Sequence, residues 1–222
     1  FESLEIVPPH LQRIVVPGTG IDTAYYYPRP LPSEPVFAMV ARMLKTKGVV
    51  EYIEAARRFR ATGRRGRFLL IGWNESGPNA IDEEVIADAA AAGVIERYGP
   101  VDDVRPLLEQ ARVYVLPSYR EGLSRTVLEA MSMGRPVIST DVPGCRDAVI
   151  DGVTGLLVPA RDPGALAEAM TKLVDQPQLA VQMGTAGRRR VEAEFDVQHV
   201  NRTLLSFMQV QGPPSASRLV TP

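Results

Sequence analysis

Two glutamates, Glu121 and Glu129, stand eight residues apart in the stretch LPSYREGLSRTVLEAMSMGRPVISTDVPGCRDAVIDGVTGLLVP at 116–159. A short apolar strand at 113–117 leads through a polar turn into a helix expected over 121–133, with Leu123, Val127, Ala130 and Met131 at helical spacing. On that reading, eight residues at a helical rise set the two carboxylates roughly 12 Å apart along the axis. That span matches the distance from the ribose to the sugar ring of a nucleotide-sugar. Between them lies a helix N-terminus, whose free N–H groups and dipole favour a phosphate. Upstream, Arg42 and Lys47 in VARMLKTKG follow the strand expected at 36–41. Cations at a strand end can hold a pyrophosphate and neutralise the charge that develops as it departs.

In this ordered setting the stretch resembles the donor-binding, C-terminal domain of the family 4 retaining glycosyltransferases, which have the GT-B fold. The E-x7-E pattern of Glu121 and Glu129 is that family's hallmark, and PSYREG, EAM, GRPVI, VPG and GLLVP fit it in order. The resemblance covers about residues 13–210 and implies roles residue by residue. Arg42 and Lys47 would bind the donor diphosphate, Glu121 would contact the donor sugar and complete the catalytic set, and Glu129 would hold the ribose. Gly122, Leu123 and Ser124 would offer backbone N–H groups to the phosphates, and the 98–101 segment ending at Val101 would hold the base through its main chain. The reaction implied is transfer of a hexosyl group from an NDP-sugar, UDP favoured, to a hydroxyl acceptor such as a lipid-linked glycan, with retention and without a metal or other cofactor.

Each residue also has a local reading. Ser118 and Glu121 form an S-x-x-E capping box, and glutamate at 129 is an ordinary helix former. Arg42 and Lys47 alone would be a solvated loop, and Gly122 an ordinary turn. A GT-B-like sugar phosphorylase, a nucleotide-sugar epimerase or a non-catalytic nucleotide-binding module would share the architecture.

The elements that must position these groups alternate regularly. Strands are expected at 36–41, 67–72, 94–99, 113–117, 136–140 and 155–159, with helices at 47–61, 79–92, 102–111 and 121–133 between them. The helix at 102–111 has Asp102 or Asp103 as its cap. Near-continuous apolar runs fit strands covered on both faces, hence an α/β, doubly wound, Rossmann-like parallel sheet with C-terminal helices. Those helices are expected from Pro163, capped by Asp162, then at 178–194 and 197–208. RIVV at 13–16 reads as a further short strand. Four segments follow from this: 1–34 as the end of a preceding domain with hinge and linker, 35–195 as the nucleotide-sugar domain, 196–210 as a crossover helix, and 211–222 as a disordered tail.

Composition sets outer bounds. The chain has 222 residues, 45% apolar and 23% charged, with a net charge of −1, so no basic surface points to nucleic acid. A single cysteine, Cys145, precludes an internal disulfide framework. There is no signal-peptide pattern and no apolar run near the ~20 residues of a membrane span. GTGID at 18–22 lacks the third glycine of a dinucleotide fingerprint. No HExxH, P-loop or D-x-D is present, and His10 and His199 have no ligand spacing. The chain begins at Phe1, and we expect a piece of a longer protein whose missing N-terminal domain binds the acceptor. The implied location is the cytoplasm, with contact at the inner face of the membrane only through that domain.

Overall fold

The computed structural model describes residues 14–208. The expected lead-in at 1–12 and tail at 211–222 lie outside the described residues. Six strands form one sheet: β1 (Val36–Val40), β2 (Arg67–Ile71), β3 (Glu96–Tyr98), β4 (Val113–Leu116), β5 (Val137–Thr140) and β6 (Gly155–Val158). Their order is β3-β2-β1-β4-β5-β6, and every pairing is parallel. This is the doubly wound arrangement, with strand order reversing between β1 and β4, where ligands bind beyond the carboxyl ends.

The helices are α1 (Val49–Ala61), α2 (Glu83–Ala91), α3 (Arg105–Gln110), α4 (Arg125–Ser132), α5 (Pro143–Ala148), α6 (Pro163–Asp175), α7 (Pro177–Arg190) and α8 (Val197–Phe207). A 3-10 turn, Lys45–Lys47, precedes α1, and a π turn, Val191–Phe195, continues α7. Beneath α1 the rings of Phe37, Phe59, Phe68 and Tyr52 stack or meet edge to face. The buried Tyr52 hydroxyl donates to the carbonyls of Phe37 and Leu69, so its burial strands no polar group.

Several local expectations hold and several are corrected. Asp162 caps α6 by accepting from the Ala165 N–H, with Pro163 at the first helical position. Asp103, not Asp102, serves α3, accepting from the Arg105 N–H from one residue before the cap position. Ile14–Val16 form no strand: Val15 is almost fully exposed, and the run pairs with neither edge strand of the sheet, β3 or β6, so its β-propensity finds no partner. α5 was not expected from the sequence, although Pro143 stands where a first-turn proline belongs. The largest correction concerns α4. It begins at Arg125 with Ser124 as its cap, so Glu121 lies in the preceding loop and is not a helical residue. The 12 Å spacing and the capping box therefore do not apply.

Candidate active site at the sheet switch point

Two chain segments converge where the strand order reverses. The one after β1 carries Ala41, Arg42 and the 3-10 turn with Lys47. The one after β4 is the loop 117–124, with Glu121, that leads into α4. They are drawn together by backbone contacts. The Tyr119 N–H donates to the Thr46 carbonyl at 2.9 Å. Gly48, at φ 75°, comes so close that a Cβ there would stand 2.1 Å from the Pro117 carbonyl oxygen, an approach only glycine permits. Strand β5 supports the loop from below, through the Ser139 hydroxyl on Leu116 O and the Thr140 hydroxyl on Ser118 O.

Lys47 Nζ then meets Glu121 Oε1 at 2.6 Å, and the Ser118 hydroxyl donates to the same oxygen at 2.6 Å. Ser118 thus fixes Glu121 by a side-chain bond, the outcome that replaces the capping box. Both partners of the ion pair are largely buried, Lys47 at 20% and Glu121 at 9% side-chain exposure. Arg42 donates to Glu75 at 3.2 Å and is half exposed. Arg42, Lys47, Glu121, Leu123 and Ser124 all line one cavity of about 270 Å³, together with Trp73, Arg125 and Thr126. Ser124 makes no side-chain cap bond, so the first N–H groups of α4 have no side-chain acceptor and are available to an anion.

Three expected residues do not line that cavity. Val101 is exposed in the loop after β3. Gly122 faces open space where its Cβ would stand, and its carbonyl oxygen rests against Gly144 of α5. Glu129 is one helical turn below Arg125 and 7% exposed. Its Oε1 accepts from the Tyr26 hydroxyl at 3.0 Å and from Arg125 Nε at 3.1 Å. Sequence reasoning missed Tyr26, Arg125, Thr126 and Trp73, and gave Ser118 only a capping role. Trp73 follows the carboxyl end of β2, where the same strand-end rule would have found it.

Burial pushes the Glu129 carboxyl above the ordinary glutamate range, against the hydrogen bonds from Tyr26 and Arg125 that pull it down. The Tyr26 hydroxyl is likewise driven up, by burial first and then by the Glu129 charge. A folded carboxyl that titrates above its unfolded value binds its proton more readily when folded. Stability therefore falls as pH rises from the ordinary glutamate range through the raised folded value. Glu129→Gln is expected to raise the melting temperature at pH 7, with the gain shrinking towards pH 4. Thermal melts of both proteins across that range check it, and an equal difference at both ends would refute the buried-charge account.

Among the described residues no three His, Cys, Asp or Glu side chains stand together as a metal site, and no helix is long and apolar enough to cross a membrane.

A family model described as "Glycosyl transferases group 1" matches residues 34–176. α-Maltose-1-phosphate synthase of Mycolicibacterium smegmatis is 35% identical over 221 residues, covering 88% of this chain and 56% of its own. The putative colanic acid biosynthesis glycosyltransferase WcaL of Escherichia coli is 32% identical over 214 residues, covering 89% and 51%. Among solved structures, Anabaena HepE in complex with UDP-glucose superposes with a TM-score of 0.74 at 18% identity, covering 86% of this chain and 56% of that one, a likeness of fold. The chain spans about half the length of the curated relatives it matches. By family match, relatives and fold together, this chain belongs to the group 1 (family 4) glycosyltransferases and has the fold of their C-terminal GT-B domain.

Proposed function

We propose that this chain binds the nucleotide-sugar donor of a retaining glycosyltransferase, with the diphosphate on Arg42, Lys47 and the α4 N-terminus. The observation that carries this reading is the cavity at the β1–β4 switch point, where the two cations, Glu121 and the uncapped helix end face one space. In this reading Glu121 contacts the sugar, Glu129 the ribose, and the main chain near Val101 the base. The protein's own cations supply the countercharge that the departing diphosphate requires, so no metal is assigned. Held positions and fixed dipoles provide the catalytic effect. Lys47, tied to Glu121, stands between diphosphate and sugar and links the two ends of the donor.

HepE, which shares the fold, was solved with UDP-glucose bound, and this supports uridine as the base. The relatives are named for products as different as α-maltose 1-phosphate and colanic acid, so likeness to them leaves the acceptor open. We assign the acceptor, and any contact with a membrane surface, to a further domain, and place the reaction in the cytoplasm, in polysaccharide or glycoconjugate synthesis. This chain alone would bind donor and transfer little.

Calorimetric titration with UDP, GDP and ADP tests the reading. Saturable binding of UDP is expected, weakened about ten- to hundredfold by Lys47→Ala, the scale of one charge-assisted hydrogen bond, and weakened also by Glu129→Ala. Binding of none of the three, or binding that both variants leave unchanged, would overturn it.

A further inference from the structure

A strap of chain ahead of the sheet, residues 21–29, lies across α4 and α7. Ile21 exchanges backbone bonds with Phe195 and Val197 at 2.8 and 2.9 Å, and Arg29 N–H donates to the Met133 carbonyl at the end of α4. At its centre the Tyr26 carbonyl is gripped twice, by the Ser132 hydroxyl of α4 at 2.8 Å and by Arg188 Nη1 of α7 at 2.8 Å. Arg188 also holds the Thr23 carbonyl. Asp22 ties the turn to itself by accepting from the Ala24 and Tyr25 N–H groups. With its backbone fixed on both sides, Tyr26 directs its hydroxyl onto Glu129 Oε1, to which it donates at 3.0 Å.

The second donor to Glu129, Arg125 Nε, meets that same oxygen. A carboxylate offers about four acceptor positions on its two oxygens. Here both protein donors occupy Oε1, and Oε2 has no hydrogen-bond partner among the described residues. We propose that Tyr26 is a positioning residue for the donor ribose: with Arg125 it pins Glu129 through Oε1 and so presents Oε2 to the ribose hydroxyls. The proposal rests on the donor-site reading above. It adds a residue from outside the sheet, separated from Glu129 by the strap and four strands of sequence, that sets the orientation of the ribose carboxylate without touching the ligand. Burial of the Glu129 side chain makes that setting matter. A carboxylate that is 9% exposed has little water to replace a lost donor, so its rotamer follows its protein partners.

The test is titration of wild type, Tyr26→Phe, Glu129→Ala and the double variant with UDP and with 2′,3′-dideoxy-UDP. Tyr26→Phe keeps the ring that packs edge-on against Tyr25. It is expected to weaken UDP roughly three- to tenfold, the scale of one hydrogen bond, and to leave the dideoxy nucleotide unchanged. In the Glu129→Ala background the Tyr26 change should add nothing. A Tyr26→Phe loss equal for both nucleotides would show a merely structural role and overturn the proposal. So would UDP affinity unchanged by Tyr26→Phe while Glu129→Ala weakens it, and in that case the donor site would stand. Wild type that binds no UDP would overturn donor site and proposal together. Should Tyr26→Phe fail to fold, Ser132→Ala loosens the same strap by removing its grip on the Tyr26 carbonyl. The same ribose-dependent loss, smaller in size, is then expected, and its absence counts against the proposal.

Discussion

Gly144→Ala is expected to cost about 1–3 kcal/mol of stability, the scale of an overpacked site, and to weaken nucleotide binding at least tenfold. A Cβ on Gly144 would stand 2.0 Å from the Gly122 carbonyl oxygen and 2.2 Å from that of Glu121. All of the nearest atoms belong to backbone, so no side chain can swing aside. Either α5 must withdraw from β5, or the Glu121–Gly122 peptide must move. The loop is the softer of the two, and it carries Glu121 and leads directly into the α4 N-terminus. Its displacement would stretch the 2.6 Å contacts of Glu121 with Lys47 and Ser118, and small misplacements of positioned groups have large consequences. Thermal denaturation and UDP calorimetry on the same preparation separate the two effects. A variant that melts like wild type and binds UDP equally would show that the loop has slack the close packing does not suggest.

Arg135→Leu is expected to lower stability on the order of 3 kcal/mol, a large share of the ~5–15 kcal/mol typical of a domain. Among the described residues Arg135 is the largest fully buried side chain, and no acidic side chain there forms an ion pair with it. Its guanidinium donates instead to the carbonyls of Met133, Ala111, Arg29 and Pro30, with Ala111 at 2.9 Å and Pro30 at 3.1 Å. Burial draws its pKa down to about 10, the mark of a charge held at a desolvation cost. Leucine removes that cost, which opposes the loss. Met133 O retains the Arg29 N–H, and Arg29 and Pro30 are exposed residues, so their carbonyls can turn to water. Ala111 is fully buried and would lose the partner that Arg135 gives its carbonyl, and the shorter side chain leaves a cavity besides. These terms outweigh the relief. A drop of roughly 6–12 °C in melting temperature follows for a chain of this size, and an unchanged melt would mean that the relief of desolvation cancels them. Because Arg135 also clasps the segment before β1, the variant should loosen residues 29–30 first, which hydrogen exchange would detect.

The pattern of apolar runs was enough to place every strand of the sheet within a residue or two, because a strand covered on both faces has few polar positions. Asp162–Pro163 at the start of α6 was legible for a similar reason: the cap and the helix it serves are neighbours in sequence. The types of the site residues could also be read, since strand ends in such a sheet are where ligands sit, and Arg42, Lys47, Glu121, Leu123 and Ser124 do meet in one cavity. Where α4 begins could not be read. S-x-x-E at 118–121 is a valid local start signal, but Thr140 of β5 bonds the Ser118 carbonyl and Lys47 bonds the Glu121 carboxylate, and these contacts from distant segments hold residues 117–124 as a loop. Ile14–Val16 failed as a strand because β-propensity needs a paired neighbour, and the run pairs with neither edge of the sheet. Tyr26 was invisible as a partner of Glu129, since 103 residues separate them. Local sequence determined the six strands of the sheet, most of the helices and which residue types stand at their ends. Which of those groups touch, which oxygen of a carboxylate is left free and where glycine is indispensable were decided by tertiary packing, because each depends on atoms that the chain brings together only when folded.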